Sequence, residues 1–357
     1  MKVLFAICGW GLGHATRDLV LIRALLRAKH QVTILTTGRA LRLLRYELGN
    51  ACSFIDLQDI PAPLSRWATV FHIKMVLSLP LMFRIFWKEY RTIGQLQRLH
   101  RFDRIISDTR YGASLREVPS FYLVHSLRQI LPGRPAPLEA IVERVQKRLM
   151  ARARKLIIPD QKNGGLAGDL CHNLVCSWKD RVEYIGILSS VERRDVEQDI
   201  DYFITISGPE PQRTIFERIV LEQVYDLQGR IVIALGKPEA LPNGWANGRV
   251  TVNSFMGRKE QEEMMNRARL VVSRSGYTTL MELAELGKKA LFVPTLGQCE
   301  QEYLGDYHEK MGTMHCVSQR RLDLARDVVV AQNYRGIPIA HRTEESVNRF
   351  LDVVENG

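Results

Sequence analysis

Cysteine is scarce in this chain, and no clean apolar run reaches the length of about 20 residues that a membrane span needs. Six cysteines are spread over 357 residues, and no two of them are spaced as C-x-x-C. That density argues against a disulfide framework and favours reduced thiols. The apolar start of the chain is too short for a signal peptide and lacks a small-residue cleavage site. These absences predict a cytoplasmic protein.

Short repeats, low-complexity tracts and nucleic-acid-binding motifs are also missing. With 46% hydrophobic and 25% charged residues, the composition is that of a globular protein, and a chain of this length typically forms two domains. Fifty basic residues against 39 acidic ones give a net charge of +11. This excess favours an anionic partner, a phosphorylated ligand or an acidic lipid surface, but no nucleic acid. His172, beside Cys171, lacks metal-ligand spacing, so no metal site is expected. No cofactor is expected either.

The first half of the chain alternates between β-prone apolar runs and runs with apolar residues at helical spacing. The pattern predicts a strand at residues 3–7, a glycine-rich turn at 9–13, a helix at 16–28 and a strand at 31–36. This order is a βαβ unit, which implies a parallel sheet. Further strands of the same sheet are expected at residues 104–107, 120–124 and 155–159.

A second series of the same kind follows the polar linker at residues 189–199. It opens with a strand at 202–206, a Gly/Pro loop at 207–211 and a helix at 214–225. Its later strands are expected at residues 230–235, 250–252, 270–273 and 289–293.

The two series predict an α/β protein with two Rossmann-like domains. We expect the first at residues 1–188 and the second at 200–340. Residues 341–357 are expected to form a C-terminal helix that packs back on the first domain.

The glycine-rich turn carries Gly9, Gly11 and Gly13, followed by His14. Glycines let a backbone approach a ligand closely, and the helix that follows offers N–H groups and a positive dipole end. The spacing is not the G-x-G-x-x-G of dinucleotide-binding proteins, so a nicotinamide or flavin dinucleotide is not favoured. His14 lies where the turn meets the helix, which suits a functional role, with a capping role as the alternative.

A second motif surrounds Ser275 and Gly276, which follow a strand and precede a helix that begins at Thr278. Small residues at the start of a helix suit a diphosphate. Glu282 lies one turn further along the same face, where its carboxylate can accept hydrogen bonds from two vicinal ribose hydroxyls.

These motifs resemble those of GT-B glycosyltransferases of family 28 type, among them the N-acetylglucosaminyltransferase that completes the lipid-linked peptidoglycan precursor. The G-x-G-H-A-T-R opening is similar to that of a group of uncharacterised bacterial and archaeal glycosyltransferases. The resemblance covers nearly the whole chain and implies two Rossmann-like parallel-sheet domains that face each other across a cleft. It is strongest at residues 9–17, 107–112, 206–213 and 273–305, and weakest at 65–101.

The resemblance implies an inverting, metal-independent transfer of a sugar from a nucleotide sugar, usually a UDP sugar, to a glycan or lipid-linked acceptor. Glu282 matches the ribose-binding acid of the family. Gln301 matches the first residue of a Gln-Gln pair that holds the donor sugar, and Glu302 departs from that pair. The remaining positions that the resemblance assigns to the donor are Ser207, Gly208, Phe255, Ser275, Gly276 and Thr278.

Two residues are candidates for the base that deprotonates the acceptor. His14 matches the family's first-loop histidine, and Asp108 follows a first-domain strand, where it is either a base or a loop cap. His125 and Asp160 also end strands and stay open as functional candidates. Two other functions remain as alternatives: a nucleotide-sugar hydrolase, with water in place of the acceptor, and a non-catalytic nucleotide-sugar-binding protein that needs a partner.

The segment at residues 67–87 is apolar on nearly all sides, yet it contains charges and Pro80. One interpretation is a helical hairpin buried in the first domain. The other is a helix that lies on an anionic membrane surface, aided by the basic residues that follow it. In the second case the protein is peripheral on the inner face of the cytoplasmic membrane. Those basic residues are Lys88, Arg91, Arg98 and Arg101.

Overall fold

The computed structural model describes residues 1–9, 12–59, 68–163, 165–178, 181–237, 244–338 and 342–357, with the backbone alone for 68–79. The chain forms two compact units. The first contains residues 1–190 together with 340–357, and the second contains residues 191–339.

The first unit is built on a parallel sheet of seven strands. Their order across the sheet is β3-β2-β1-β4-β5-β6-β7. After Lys2, every residue of the first strand is buried, as expected where helices cover both faces of a parallel sheet. The strands are β1 (Lys2–Ile7), β2 (Gln31–Thr36), β3 (Ser53–Asp56), β4 (Arg104–Asp108), β5 (Ser120–Leu123), β6 (Lys155–Ile158) and β7 (Val182–Tyr184).

Four helices of the first unit precede the second unit in sequence. They are α1 (Leu12–Arg27), α2 (Gly38–Leu48), α3 (Ala68–His100) and α4 (Ala136–Leu149). The third is 33 residues long and contains Pro80 without a break. In the part of the chain that the structure describes, no helix is long and apolar enough to cross a membrane.

The second unit also has a seven-stranded sheet, in the order β10-β11-β9-β8-β12-β13-β14. All its neighbouring strands are parallel except the antiparallel pair β10 and β11. The strands are β8 (Ile200–Thr205), β9 (Ile231–Ala234), β10 (Trp245–Asn247), β11 (Val250–Asn253), β12 (Ala268–Ser273), β13 (Lys289–Phe292) and β14 (His315–Cys316).

Helices cover the second sheet, and its core includes Phe216 and Val220 from one helix and Leu324 and Val328 from another. These side chains pack with strand residues such as Ile233. The helices are α5 (Gln212–Gln223), α6 (Arg258–Arg267), α7 (Tyr277–Leu286), α8 (Cys299–Lys310) and α9 (Leu324–Gln332).

The last helix, α10 (Thr343–Asn356), belongs to the first unit although the second unit precedes it in sequence. It packs against α1, and its Phe350 and Val354 are fully buried. Arg104 Nε donates to the carbonyl of Val354 at 2.9 Å, and His30 Nε2 lies 2.8 Å from Glu355 Oε1. The end of the chain therefore supports the helix that contains His14.

The expected α/β class with two sheet-based units is confirmed. The expectation of a buried hairpin at residues 67–87 is wrong, because one continuous helix runs from Ala68 to His100. Its described part is two-sided: Glu89 and Ile93 are buried, whereas Phe83 and Trp87 are exposed. Trp67 lies outside the described residues.

Candidate active site

The first sheet carries a histidine–aspartate contact at its carboxyl-terminal edge. β1 and β4 are parallel neighbours with Ile7 opposite Asp108, and α1 begins five residues after β1 ends. His14 Nδ1 thereby lies 2.6 Å from Asp108 Oδ2. A carboxylate can only accept, so the proton of the neutral imidazole lies on Nδ1 and the lone pair on Nε2. His14 is thus oriented to act as a proton acceptor.

Asp108 is fully buried, and Arg17 Nη2 donates to its Oδ2 at 2.6 Å. Burial alone would raise the pKa of Asp108, but the positive charge of Arg17, followed by His14, outweighs it and holds the pKa below its usual range. Asp108 therefore stays ionised and can stabilise a positive charge that develops on His14.

Asp18 is a second buried carboxyl in this network, and Arg17 Nε donates to its Oδ1 at 3.2 Å. Burial and then the charge of Asp108 raise its pKa well above the usual value. Among the described residues, no N–H or hydroxyl group donates to Asp18 Oδ2 or Asp108 Oδ1, and the two buried carboxyl groups interact electrostatically. A protonated Asp18 that donates to Asp108 would satisfy both side chains.

His125 lies beside the same network, just after β5. Its Nδ1 is 3.2 Å from Arg17 Nη1, and the centre of its ring is 5.9 Å from that of His14. The structure brings this open candidate to the site. It places Asp160 elsewhere, where the carboxylate accepts three main-chain N–H groups and contacts His172 at 3.1 Å.

Sequence reasoning did not single out Arg17 and Asp18 as members of the site. The signal that could have found them is their position on α1. Arg17 and Asp18 lie four residues before Leu21 and Ile22, among helix positions that are otherwise apolar, and charged residues are rarely buried without a partner.

The glycine-rich turn is described in part. Gly9 N donates to Asp59 Oδ2 at 2.8 Å, and a Cβ at Gly9 would lie 3.0 Å from Thr37 Cγ2. The carbonyl of Gly13 accepts from Thr16 Oγ1 at 3.1 Å. Gly11 lies outside the described residues.

The second sheet gathers the predicted donor residues at its own carboxyl-terminal edge. Gly276 is the N-cap of α7 and directly follows Ser275, whose Oγ donates to the carbonyl of Gln301 at 2.7 Å. Gln301 Oε1 accepts from Thr295 N at 2.9 Å, and Glu302 Oε1 accepts from Gly297 N at 2.9 Å. The first turn of α8 is thus tied to the loop that follows β13.

Ser207 and Gly208 follow β8, and Phe255 follows β11 with about half of its surface exposed (51%). Gly208 has a φ of +111°, which only glycine adopts without strain. A Cβ there would also lie 3.3 Å from Thr295 Oγ1. The loop after β8 therefore keeps an open backbone beside the loop after β13.

Arg274 is a buried cation that sequence reasoning did not single out. Its Nε and Nη1 donate to main-chain carbonyls of the loops after β8 and β13, and Nη2 donates to the carbonyl of Gln212 and to Gln319 Oε1. Among the described residues, no carboxylate contacts it. Burial lowers its pKa to about 10, so it remains charged at neutral pH.

Glu282 is buried on α7, four residues after Thr278, which is partly buried. Arg258, the first residue of α6, reaches its Oε1 with Nη2 at 2.5 Å. The predicted ribose acid is therefore in a charge-assisted hydrogen bond in this structure, which fixes the direction of its carboxylate.

Comparison with known proteins agrees with this architecture. Residues 211–333 match the model of the glycosyltransferase family 28 C-terminal domain, and residues 1–61 match the model described as glycosyl transferase family 1. An uncharacterized glycosyltransferase of Methanosarcina acetivorans is 22% identical over 363 residues, covering 94% of this chain and 92% of that protein.

Solved structures share the fold at low sequence identity. The glycosyltransferase of kitacinnamycin is 13% identical with a TM-score of 0.66, covering 99% of this chain and 98% of its own. MurG of Acinetobacter baumannii is 15% identical with a TM-score of 0.57, covering 100% of both chains. The UDP-GlcNAc 2-epimerase from Methanocaldococcus jannaschii is 13% identical with a TM-score of 0.59, also covering 100% of both.

Since an epimerase and transferases share the fold, the fold alone does not identify the reaction. The match to the family 28 C-terminal domain and the archaeal relative confirm the glycosyltransferase expected from the sequence motifs. The chain is a glycosyltransferase of the GT-B fold, and residues 211–333, in its second unit, match the family 28 C-terminal domain.

Proposed function

We propose that the protein transfers a sugar from a nucleotide sugar to an acceptor hydroxyl by a single displacement, with His14 as the general base. The observation that carries this proposal is the 2.6 Å contact between His14 Nδ1 and the buried Asp108 carboxylate. It leaves Nε2 as the proton acceptor, and a positioned base contributes about 10²–10⁴ in rate.

In the proposed step, His14 Nε2 takes the proton of the acceptor hydroxyl as its oxygen bonds to the anomeric carbon. The bond from that carbon to the diphosphate oxygen breaks, and the nucleoside diphosphate leaves with the electron pair. Attack from the face opposite the leaving group inverts the anomeric configuration. Asp108 stabilises the imidazolium that forms, as in other histidine–carboxylate pairs.

The second unit is proposed to bind the donor. The start of α7 at Gly276 offers a positive dipole end, and the charge of Arg274 lies directly before it in the chain. Together with Ser275 and Thr278, these groups would offset the charge of the departing diphosphate in place of a bound metal. A buried cation without a carboxylate partner favours a ligand that brings negative charge.

Glu282 supports a ribonucleotide, most simply UDP, because a carboxylate can accept hydrogen bonds from both vicinal hydroxyls of ribose. The hydrogen bond from Arg258 occupies Oε1 in this structure, so donor binding is proposed to share or displace it. Phe255 would cover the base from its exposed position after β11. Gln301 and Glu302 would contact the donor sugar.

The exposed face of α3 supports an acceptor at a membrane surface, such as a lipid-linked glycan. Leu81, Phe83 and Trp87 are each more than half exposed, and Arg91 lies over the Trp87 ring at 3.5 Å from its centre. Basic groups near an anionic surface contribute on the order of 1 kcal/mol each. We propose reversible, peripheral contact with an anionic membrane.

Incubation with labelled UDP sugars, with and without membrane lipid extract, tests the reaction. A lipid-dependent labelled product supports transfer. Release of free sugar from the UDP sugar in buffer alone would indicate the hydrolase alternative, and binding without any product would indicate the non-catalytic one. The exposed aromatic face of α3 favours a bulky acceptor over water.

Co-sedimentation with anionic vesicles tests the membrane contact. Binding should be present at low salt and fall steeply as salt rises, because the basic contribution is screened within about 8 Å at physiological ionic strength. Trp87→Ser should weaken it, whereas Val329→Ser, at a similarly exposed apolar position of the second unit, should not. Wild-type protein that stays in the supernatant at low salt would point to an acceptor free in solution.

A further inference from the structure

A buried ion pair outside the proposed catalytic groups joins α3 to the loop that follows Asp108. Arg110 Nε donates to Glu89 Oε1 at 2.5 Å, and Gly112 N donates to Glu89 Oε2 at 3.0 Å. Both charged side chains are nearly inaccessible to water. One carboxylate of α3 therefore holds the loop at two points, two and four residues after Asp108.

The same guanidinium reaches the segment that holds the glycine-rich turn. Arg110 Nη1 donates to the carbonyl of Leu57 at 3.1 Å, and Nη2 donates to that of Gln58 at 3.3 Å. The next residue, Asp59, accepts from Gly9 N. Arg110 therefore connects the loop that follows Asp108 to the segment that holds Gly9, five residues before His14.

The loop has little freedom to move away from this pair. Thr109 has a φ of +55°, an unusual conformation for a β-branched residue, and Ser107 Oγ donates to the carbonyl of Arg110 at 2.7 Å. A Cβ at Gly112 would lie 2.6 Å from Glu89 Oε2. Glu89 Cβ would lie nearly as close, at 2.7 Å, so any larger residue at 112 would push the loop away from the Glu89 side chain.

Stability is a weak explanation for such a pair, since the desolvation of two buried charges often exceeds their attraction. We propose that Glu89 and Arg110 are positioning residues that hold Asp108 Oδ2 against His14 Nδ1. The inference rests on the proposed function, because it presupposes the His14 base. It adds that α3 determines the geometry of the histidine–aspartate contact.

Glu89→Gln tests the inference. Loss of the pair should let the loop shift, and a displacement of about 1 Å at a reacting group can cost about 100-fold in rate. We expect kcat to fall at least tenfold with an unchanged KM for the UDP sugar.

Glu139→Gln is the matched control. Glu139 is another buried carboxylate of the first unit that pairs with an arginine, Arg134, and accepts a main-chain N–H, from Leu131. Its replacement should leave kcat within threefold of the wild type. Gly112→Ala is a second test that keeps both charges: the added Cβ would lie 2.6–2.8 Å from Oε2, Cβ and Cγ of Glu89, so the loop and α3 must move apart.

A KM for the UDP sugar that rises together with the fall in kcat would show a merely structural role for Glu89 and overturn the inference. So would a kcat within threefold of the wild type. If Glu89→Gln does not fold, Gly112→Ala decides by the same two readouts. His14→Ala is a separate measurement: if it retains turnover, the base assignment fails whatever Glu89 does.

Discussion

The two sheets of this protein end in carboxyl-terminal edges of opposite chemistry. The edge of the first collects titratable side chains: His14, Asp108, Asp18 and His125 surround Arg17. The edge of the second collects main-chain groups, hydroxyls and amides around one buried cation, Arg274. The same parallel architecture thus supports two kinds of chemistry.

The difference follows from what each edge is proposed to do. Moving a proton needs a group whose two protonation states are close in energy, and neighbouring charges set that balance. Binding a diphosphate needs donors that are fixed in place and keep their charge, which a helix start and an arginine supply. If this division is correct, changes at the first edge should alter turnover, and changes at the second should alter affinity.

The largest effect is expected from His14→Ala. Without the base, kcat should fall by about 10²–10⁴, while calorimetry should find the affinity for UDP unchanged. Asp108→Asn should approach the same loss of kcat, because the imidazolium is no longer stabilised. A UDP affinity that falls together with kcat would contradict the assignment of turnover to the first edge and of donor affinity to the second.

Arg274→Lys should come next. An ammonium cannot serve the five oxygen atoms that the guanidinium contacts, and each buried acceptor left unpaired costs about 1–3 kcal/mol. Thermal unfolding of the variant should begin at a lower temperature, and UDP should bind more weakly. Arg218→Lys is the control, because that side chain is 70% exposed and should tolerate the change.

Glu282→Gln should weaken UDP binding by about 10- to 100-fold, since a hydrogen bond to a charged group contributes about 1.5–3 kcal/mol. The wild type should prefer UDP to 2′-deoxy-UDP, and the variant should lose most of that preference. Calorimetry with both nucleotides measures this. Equal binding of the two by the wild type would remove Glu282 from the ribose site.

The smallest and most specific effect is expected from Asp18→Asn. Burial in the folded protein raises the pKa of Asp18, whereas in the unfolded chain the carboxyl ionises near pH 4. Above that pH, folding requires the uptake of a proton, and the free-energy cost of this uptake grows as pH rises. Asparagine mimics the protonated carboxyl without that cost. The stability of the variant relative to the wild type should therefore grow between pH 5 and pH 8. A relative stability that stays constant over this range would show that Asp18 is ionised in the folded protein as well.

The sequence predicts the long, uniformly apolar strands well, because a run such as residues 3–7 can only be satisfied inside a sheet. It does not predict the short strands β7, β10 and β14, whose two or three residues carry too little pattern. A helical hairpin was one interpretation of residues 67–87, but the chain continues as a single helix through Pro80. The packing of Ile93 and its neighbours into the core stabilises the part of this helix that follows the proline.

Individual residues of the site were easier to predict than their contacts. His14 and Asp108 each follow a strand and could be selected one at a time, but 94 residues separate them, and only the pairing of β1 with β4 brings them together. The ion pair of Glu89 with Arg110 has no sequence signature at all, because nothing local relates a helix position to a loop 21 residues later.

The placement of α10 affects the order in which the two units can complete folding during synthesis. A ribosome makes residues 191–339 before it makes residues 343–356, so the whole second unit emerges while the first still lacks its last helix. Domains usually fold in the order of synthesis, N-terminal first. Here the contacts of α1 with α10 form last, when Phe350 and Val354 become buried. A nascent chain of this protein would complete its proposed donor-binding half before its proposed catalytic half.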